Sequence, residues 1–216
     1  MVGKILAAAG TAVAGAIVAG TALRRIVREK SAKPRVQEPR GVLVCGVSGA
    51  GKSSLINDIL GGEFTRAGSG GEVTQGIVSC RSGGIFIRDT QGYSSGSFGS
   101  YLEWLGEVIS ANPPREVWYC VNAGGKRFGT TDEQCVHALV ELVGSERLRI
   151  VLTKIDLVSE EELKELHRVI SYCAPGIPLV NYSVKEHGSS FYREYVEKNR
   201  QRLIRRAEEA GMEVTE

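Results

Sequence analysis

The run Gly46-Val47-Ser48-Gly49-Ala50-Gly51-Lys52-Ser53 spaces glycines, a lysine and a hydroxyl as a phosphate-cradling turn requires. Its glycines let consecutive backbone N–H groups point inward at phosphate oxygens, at the positive end of a following helix. Ser48, Gly49, Ala50, Gly51 and Ser54 would line the nucleotide, Lys52 would reach the β- and γ-phosphates, and Ser53 would ligate Mg²⁺. Such a turn does not separate adenine from guanine. Thr153-Lys154-Ile155-Asp156 does, because a carboxylate at Asp156 can accept hydrogen bonds from guanine N1–H and from the exocyclic amino group. Adenine offers neither donor. A buried carboxylate left unpaired is costly, so the expected discrimination is on the order of 10³ or more.

Three further segments fall at matching places. Asp89-Thr90-Gln91-Gly92 ends the run GIFIRD, where Asp89 can hold a Mg²⁺-bound water and the Gly92 amide can meet a γ-phosphate. Thr74, in Glu72-Val73-Thr74-Gln75-Gly76-Ile77, offers a hydroxyl that would complete the Mg²⁺ shell when the γ-phosphate is present. Ser183-Val184-Lys185, directly after IPLVNY, resembles a loop whose backbone amide reads guanine O6. Lys52, Thr74 and Gly92 are therefore the candidate catalytic groups, and Ser53 and Thr74 the candidate metal ligands. Thr153, Lys154, Asp156, Ser183, Val184 and Lys185 are the candidate base site.

These residues need a scaffold that delivers them to one place. Short apolar runs alternate with helical patterns along the chain: GVLVCG before KSSLINDIL, EVWYCVN before TDEQCVHALVELV, RLRIVLT before SEEELKELHRVISYC, and IPLVNYS before a final helix from about residue 189 to 210. That alternation predicts an α/β fold, a three-layer sandwich with a mostly parallel sheet. IVSCR and GIFIRD, joined at Ser82-Gly83-Gly84, predict one antiparallel strand at the sheet edge. Asp132 and Ser159 stand where helices should begin. His137, His167 and His187 are isolated, and Trp104 and Trp118 read as core aromatics.

Charge is unevenly spread. Lys and Arg outnumber Asp and Glu eight to two in residues 1–40, whereas the rest carries 19 against 23. A mildly acidic body argues against a nucleic-acid partner. Residues 5–23 hold 19 positions without a charge, and as a helix would reach roughly 28 Å, just enough to span hydrocarbon. The stretch is mostly Ala and Gly, so insertion would be weaker than for a Leu-rich span. Arg24, Arg25, Arg28, Lys30, Lys33 and Arg35 follow it, which keeps the body on the cytosolic side. The expected organisation is an N-terminal hydrophobic helix in 1–24 acting as a membrane anchor, a basic linker in 25–40, a nucleotide-binding domain in 41–210 and a tail in 211–216. The expected location is a membrane with the domain facing the cytosol, an organelle surface or interior staying open. A cleaved signal or transit peptide and a helix that docks on protein are the competing readings of the first segment. Five cysteines without CxxC spacing signal neither zinc nor a disulfide framework, and Cys45, Cys80 and Cys120 fall in strands as small buried hydrophobes.

Taken in order, these motifs resemble the small G domains of the translation-factor class (TRAFAC) of P-loop GTPases over about residues 41–210. GKSSLIN, the Thr74 segment, DTQG and TKID look most like the Era/septin-like branch, including membrane-associated immunity-related and Toc-like GTPases. The resemblance implies GTP and GDP as ligands with Mg²⁺, and nucleotide-dependent switching. One position departs. In Ras-like members the residue after DxxG is a glutamine that orients the attacking water, and here it is Tyr93. Hydrolysis is thus expected to be slow alone, or to need a group from a partner or from a second copy, for which Arg127 is a candidate. The alternative is a GTP-dependent assembly or receptor module with negligible hydrolysis. The Gly- and Ser-rich stretches 61–71 and 92–99 are expected to be mobile without γ-phosphate.

Overall fold

The computed structural model describes residues 40–65, 76–184 and 190–212. The hydrophobic segment, nearly all of the basic linker, Thr74, Lys185 and most of the tail lie outside them. Among the described residues no helix is long and apolar enough to cross a membrane.

The elements alternate as their apolar patterns predict: β1 (Val42–Cys45), α1 (Lys52–Leu60), β2 (Ile77–Ser82), β3 (Ile85–Thr90), α2 (Phe98–Ala111), β4 (Glu116–Asn122), α3 (Thr130–Val143), β5 (Leu148–Thr153), α4 (Glu160–Cys173), β6 (Leu179–Asn181) and α5 (Ser190–Gly211). The six strands form one sheet in the order β2-β3-β1-β4-β5-β6. All neighbours run parallel except β2, which pairs antiparallel with β3 at the edge. Ser82 faces Ile85 across a turn whose Gly83 and Gly84 both have positive φ, 54° and 85°, as a two-residue hairpin demands.

Strands β1, β3 and β5 are buried along their whole length, so none shows the in–out alternation of a half-exposed strand, although β3 buries Arg88 and Asp89 and β5 buries Arg149 among its apolar residues. Their side chains feed two cores. On one face Leu43, Tyr119, Ile150 and Leu152 meet Leu105 of α2, Leu139 of α3 and Ile170 of α4. On the other, Val44, Ile87, Trp118 and Val151 meet Leu55 and Ile56 of α1 and Leu203 and Ala207 of α5. Cys45, Cys80, Cys120 and Cys135 are buried free thiols. Ser159 caps α4: its hydroxyl accepts from Glu162 N–H at 3.2 Å while Glu162 accepts from Ser159 N–H at 2.9 Å. Asp132 acts differently from a simple cap. It sits in the first turn of α3, and its carboxylate accepts from Gly129 N–H at 2.9 Å.

The two ends of the sheet are unlike. At the N-terminal ends of the strands, Glu116 is buried beneath Arg149 at 2.5 Å and Arg206 at 2.8 Å, and accepts from Trp118 Nε1 at 2.9 Å. Burial pulls the Arg149 pKa below its ordinary value, and Glu116 opposes the shift. At the C-terminal ends the chain leaves the strands in glycine-rich and polar turns. A carboxylate that neutralises two guanidinium groups cannot be deleted cheaply. Glu116→Ala is expected to lower the unfolding free energy by about 3 kcal/mol in urea denaturation. Glu165→Ala, which removes only the exposed pair with Arg168, should leave the midpoint unchanged.

Candidate nucleotide site

Every described motif residue emerges at the C-terminal edge of the parallel strands, where ligands of open α/β sheets bind. The turn from β1 to α1 bends through Gly46, Gly49 and Gly51, whose φ values of 139°, 76° and 83° lie in territory that side chains avoid. At Gly46 a Cβ would also meet the Cys120 carbonyl oxygen at 2.4 Å. Lys52 opens α1 and folds back into its own turn, donating to the carbonyls of Gly46 and Val47 at 3.1 Å each. Burial pulls its pKa down, and Cys120 and the Asp89 carboxylate act in the opposite direction. Cys120 is itself held up at about 12 by burial. Ser53 donates to Asp89 Oδ2 at 2.8 Å, which places a hydroxyl and a carboxylate side by side. Hard oxygen donors of this kind suit Mg²⁺. Ala50 is buried and Ser54 half-buried one position along α1.

The base-side residues reach the same turn. Thr153, at the end of β5, donates its hydroxyl to the Ala50 carbonyl at 2.6 Å and lies 3.2 Å from the Val121 carbonyl. Lys154 adopts a left-handed φ of 55°, costly for a side-chain-bearing residue, and this sends its ammonium back to the Gly49 carbonyl at 2.9 Å. Ser183, after β6, donates to Asp156 Oδ1 at 2.5 Å. Asp156 and Ser183 are thus one cluster, tied through Thr153 and Lys154 to the glycine turn that carries Lys52. Val184 is exposed beside it.

Asp89-Thr90-Gln91-Gly92 closes the third side. Gly92 is pressed on the glycine turn, where a Cβ would come within 2.5 Å of Ser48 Cα. Ser48 N–H donates to the Tyr93 carbonyl at 2.9 Å. Gln91 accepts from Gly76 N–H at 3.1 Å, so its amide is engaged with the start of β2. Tyr93 is turned into the core, with its ring 4.7 Å from that of Tyr101 and its hydroxyl 2.7 Å from that of Tyr119. Residues 95–97 form a short 3-10 turn and α2 starts at Phe98, so much of the stretch 92–99 is built into regular structure. Arg127 is exposed on the turn after β4. His137 and His167 make ordinary bonds, to the Cys173 carbonyl at 3.0 Å and to Asn181 Oδ1 at 2.7 Å.

Two residues at this edge have roles that the motif reading did not assign, although Asn57 closes the run GKSSLIN. Asn57 of α1 accepts from Phe64 and Thr65 N–H at 2.9 Å each and donates to the Thr65 carbonyl at 2.9 Å. It anchors the chain just before the segment that contains Thr74. Leu157, 57% exposed beside Asp156, leaves an apolar surface next to Gly124. Nothing in a lone asparagine or leucine announces such a role in sequence.

No protein-family model and no curated protein matches this sequence. Solved structures do. Toc33 from Arabidopsis thaliana, in complex with Mg²⁺ and GMPPNP, aligns at a TM-score of 0.58 and 18% identity over 90% of this chain and 92% of that one. A structure of the chloroplast translocon components atToc33 and psToc159, in which dimerization is important for GTPase activity, gives 0.58 and 20% over 79% and 82%. Era from Aquifex aeolicus, bound to GDP·AlF4⁻, gives 0.52 and 15% over 76% of this chain and 56% of its own. At these identities the likeness shows the fold alone: an α/β P-loop architecture with a six-stranded, mostly parallel sheet.

The contact between Thr153 and the glycine turn can be removed without changing the side chain's shape. Thr153→Val leaves two buried carbonyls without their hydroxyl donor and is expected to cost about 1–3 kcal/mol of stability, read by chemical denaturation.

Proposed function

We propose that the chain is a GTP-binding protein that hydrolyses GTP to GDP and phosphate and serves as a nucleotide-dependent switch at a membrane. The observation that carries the nucleotide reading is the join of Thr153 and Lys154 to the Ala50 and Gly49 carbonyls. It supports a reading in which a phosphate-type turn and a carboxylate suited to guanine serve one nucleotide from the same sheet edge. Lys52 leaves the Gly46 and Val47 carbonyls for the β- and γ-phosphates, the amides of Gly51 to Ser54 line them, and the Gly92 amide meets the γ-phosphate. Asp156 takes the two guanine donors and Ser183 holds Asp156 in place, with a backbone amide of the segment Ser183-Val184-Lys185 as the reader of O6. Ser53 and Thr74 would hold Mg²⁺, with Asp89 on a bound water; the ion supplies charge neutralisation between the β- and γ-oxygens.

Hydrolysis is the weaker half of this function. Tyr93 points into the core and Gln91 accepts from Gly76 N–H, so neither is placed to orient water. A second copy facing the nucleotide, contributing Arg127, would supply the missing group. The Toc33 precedent, in which dimerization matters for activity, supports that arrangement. The burial of Tyr93 equally favours a second reading, an assembly or receptor module that binds GTP with negligible turnover. The membrane role rests on residues 1–24 and the basic neck. It is supported by the place where that neck joins the body: Arg40 and Gly41 receive the Arg115 N–H at the end of the sheet opposite the nucleotide edge.

Fluorescent GTP, GDP and ATP titrations test the core claim. Guanine nucleotides should bind and ATP should not, and chelating Mg²⁺ with EDTA should weaken GTP more than GDP. In Asp156→Asn, guanine affinity should collapse by roughly 10³ while xanthine affinity rises, since the new amide matches the xanthine edge. Equal ATP and GTP affinity in the wild-type chain would remove the reading. Phosphate release measured across protein concentrations separates the two functions: a rate per molecule that climbs with concentration means partner-stimulated catalysis, and none at any concentration means a binding module.

A further inference from the structure

Beneath the γ-phosphate side of the site, two phenols and a carboxylate form a hydrogen-bonded chain through the core. Tyr119 Oη donates to Asp132 Oδ1 at 2.7 Å, and Tyr93 and Tyr119 hydroxyls lie 2.7 Å apart. Each phenol has one proton. Tyr119 gives its proton to Asp132, so Tyr93 is the donor to Tyr119, and the chain has a single polarity. Burial pushes both phenols above their ordinary pKa, which keeps both protons in place. The second oxygen of Asp132 accepts from Gly129 N–H at 2.9 Å, at the start of α3. The near end of the chain is the site itself: the Tyr93 carbonyl accepts from Ser48 N–H at 2.9 Å, and Gly92 packs on Ser48 and Lys52. The Tyr93 ring is wedged against Phe98 and Tyr101, at 5.3 Å and 4.7 Å between centroids.

We propose that Tyr93, Tyr119 and Asp132 are positioning residues that anchor Gly92 to the capped start of α3, so that its amide is held against the phosphate turn ready for a γ-phosphate. The proposal rests on the guanine-nucleotide reading above. The tyrosine after DTQG then fixes the backbone group next to it instead of orienting water. An amide fixed in advance loses no freedom when the γ-phosphate arrives, so the benefit falls on triphosphate and not on diphosphate. The chain's polarity also ranks its members. Loss of the Tyr119 hydroxyl strands a buried donor on Tyr93 and takes the phenol donor from half-buried Asp132, whereas loss of the Tyr93 hydroxyl idles only one acceptor on Tyr119.

Titration of the full chain and its Tyr119→Phe and Tyr93→Phe variants with fluorescent GMPPNP and GDP, alongside thermal melts, tests this. Tyr119→Phe should weaken GMPPNP relative to GDP by roughly fivefold, the value of about one hydrogen bond, and Tyr93→Phe should shift the ratio less but in the same direction. A merely structural role would lower the melting temperature of both variants and leave the ratio unchanged, and that result overturns the proposal. Equal weakening of both nucleotides overturns it too. If Tyr119→Phe does not fold, Tyr93→Phe decides, and an unchanged ratio there is fatal. A wild-type chain that binds neither nucleotide fails the reading on which the proposal stands, and a wild type that binds both with an unmoved ratio in the variants fails the proposal alone.

Discussion

The site depends on one contact across the sheet: the end of β5 gripping the turn after β1. The two strands are not neighbours, since β4 lies between them. Thr153 bridges the gap by reaching the Ala50 carbonyl while lying against the Val121 carbonyl of β4, and Lys154 crosses farther to Gly49. A threonine in this place does what backbone pairing cannot, because the glycine turn has left the sheet and its carbonyls have no strand partner there. The close fit reacts back on the sequence. A Cβ at Gly51 would sit 3.3 Å from Thr153 Oγ1, and the turn already needs left-handed φ at that residue. Glycine spacing in the turn and a hydroxyl about a hundred residues later are therefore one constraint seen twice.

A second network ties that grip to the rest of the molecule. Asp58 of α1 accepts from Tyr182, just before the Ser183 turn, and from Arg200 of α5 at 2.8 Å; Arg200 also donates to the Asp58 carbonyl at 2.8 Å. The helix that starts at the glycine turn, the strand end that carries Ser183 and the last described helix thus meet at one half-buried carboxylate. Burial together with the Asp58 contact raises the Tyr182 pKa, so the phenol remains a donor in this arrangement. Movement of the base turn would have to break these bonds, which makes α5 a rigid support for it.

What could be read from sequence was what needs fixed spacing. The glycine turn, Asp89 to Gly92, the TKID run and the strand–helix alternation each pack their requirement into a few adjacent residues, and the structure brings the described ones to one edge. The antiparallel hairpin was legible for the same reason, since Gly83 and Gly84 encode its turn locally. Other features were hidden because their partners are distant. Asp58 and Arg200 are 142 positions apart, and Glu116 meets Arg206 across 90; neither pair has a pattern to betray it. Asn57 closes GKSSLIN, but its anchoring role shows only when Phe64 and Thr65 fold back onto it. The direction of Tyr93 was equally unreadable: a tyrosine after DTQG is compatible with solvent or core, and only Tyr119 and Asp132, placed by β4 and α3, decide it.

Those placements bear on how the proposed chemistry is shared between this chain and others. Near the γ-phosphate position, the side chains of Gln91 and Tyr93 are both committed, one to Gly76 N–H and one to the buried phenol chain. Freeing Tyr93 would break its hydrogen bond with Tyr119 and unpack its ring from Phe98 and Tyr101, so turning it toward water carries a cost in the core. A group arriving from outside avoids the conflict, since it alters no buried contact. The exposed turn bearing Arg127 follows β4 at the same edge, and Gly129 at its end is held by the same Asp132 that terminates the phenol chain. The architecture therefore favours a division of labour in which the core fixes the backbone around the phosphates and a surface supplies what the core withholds.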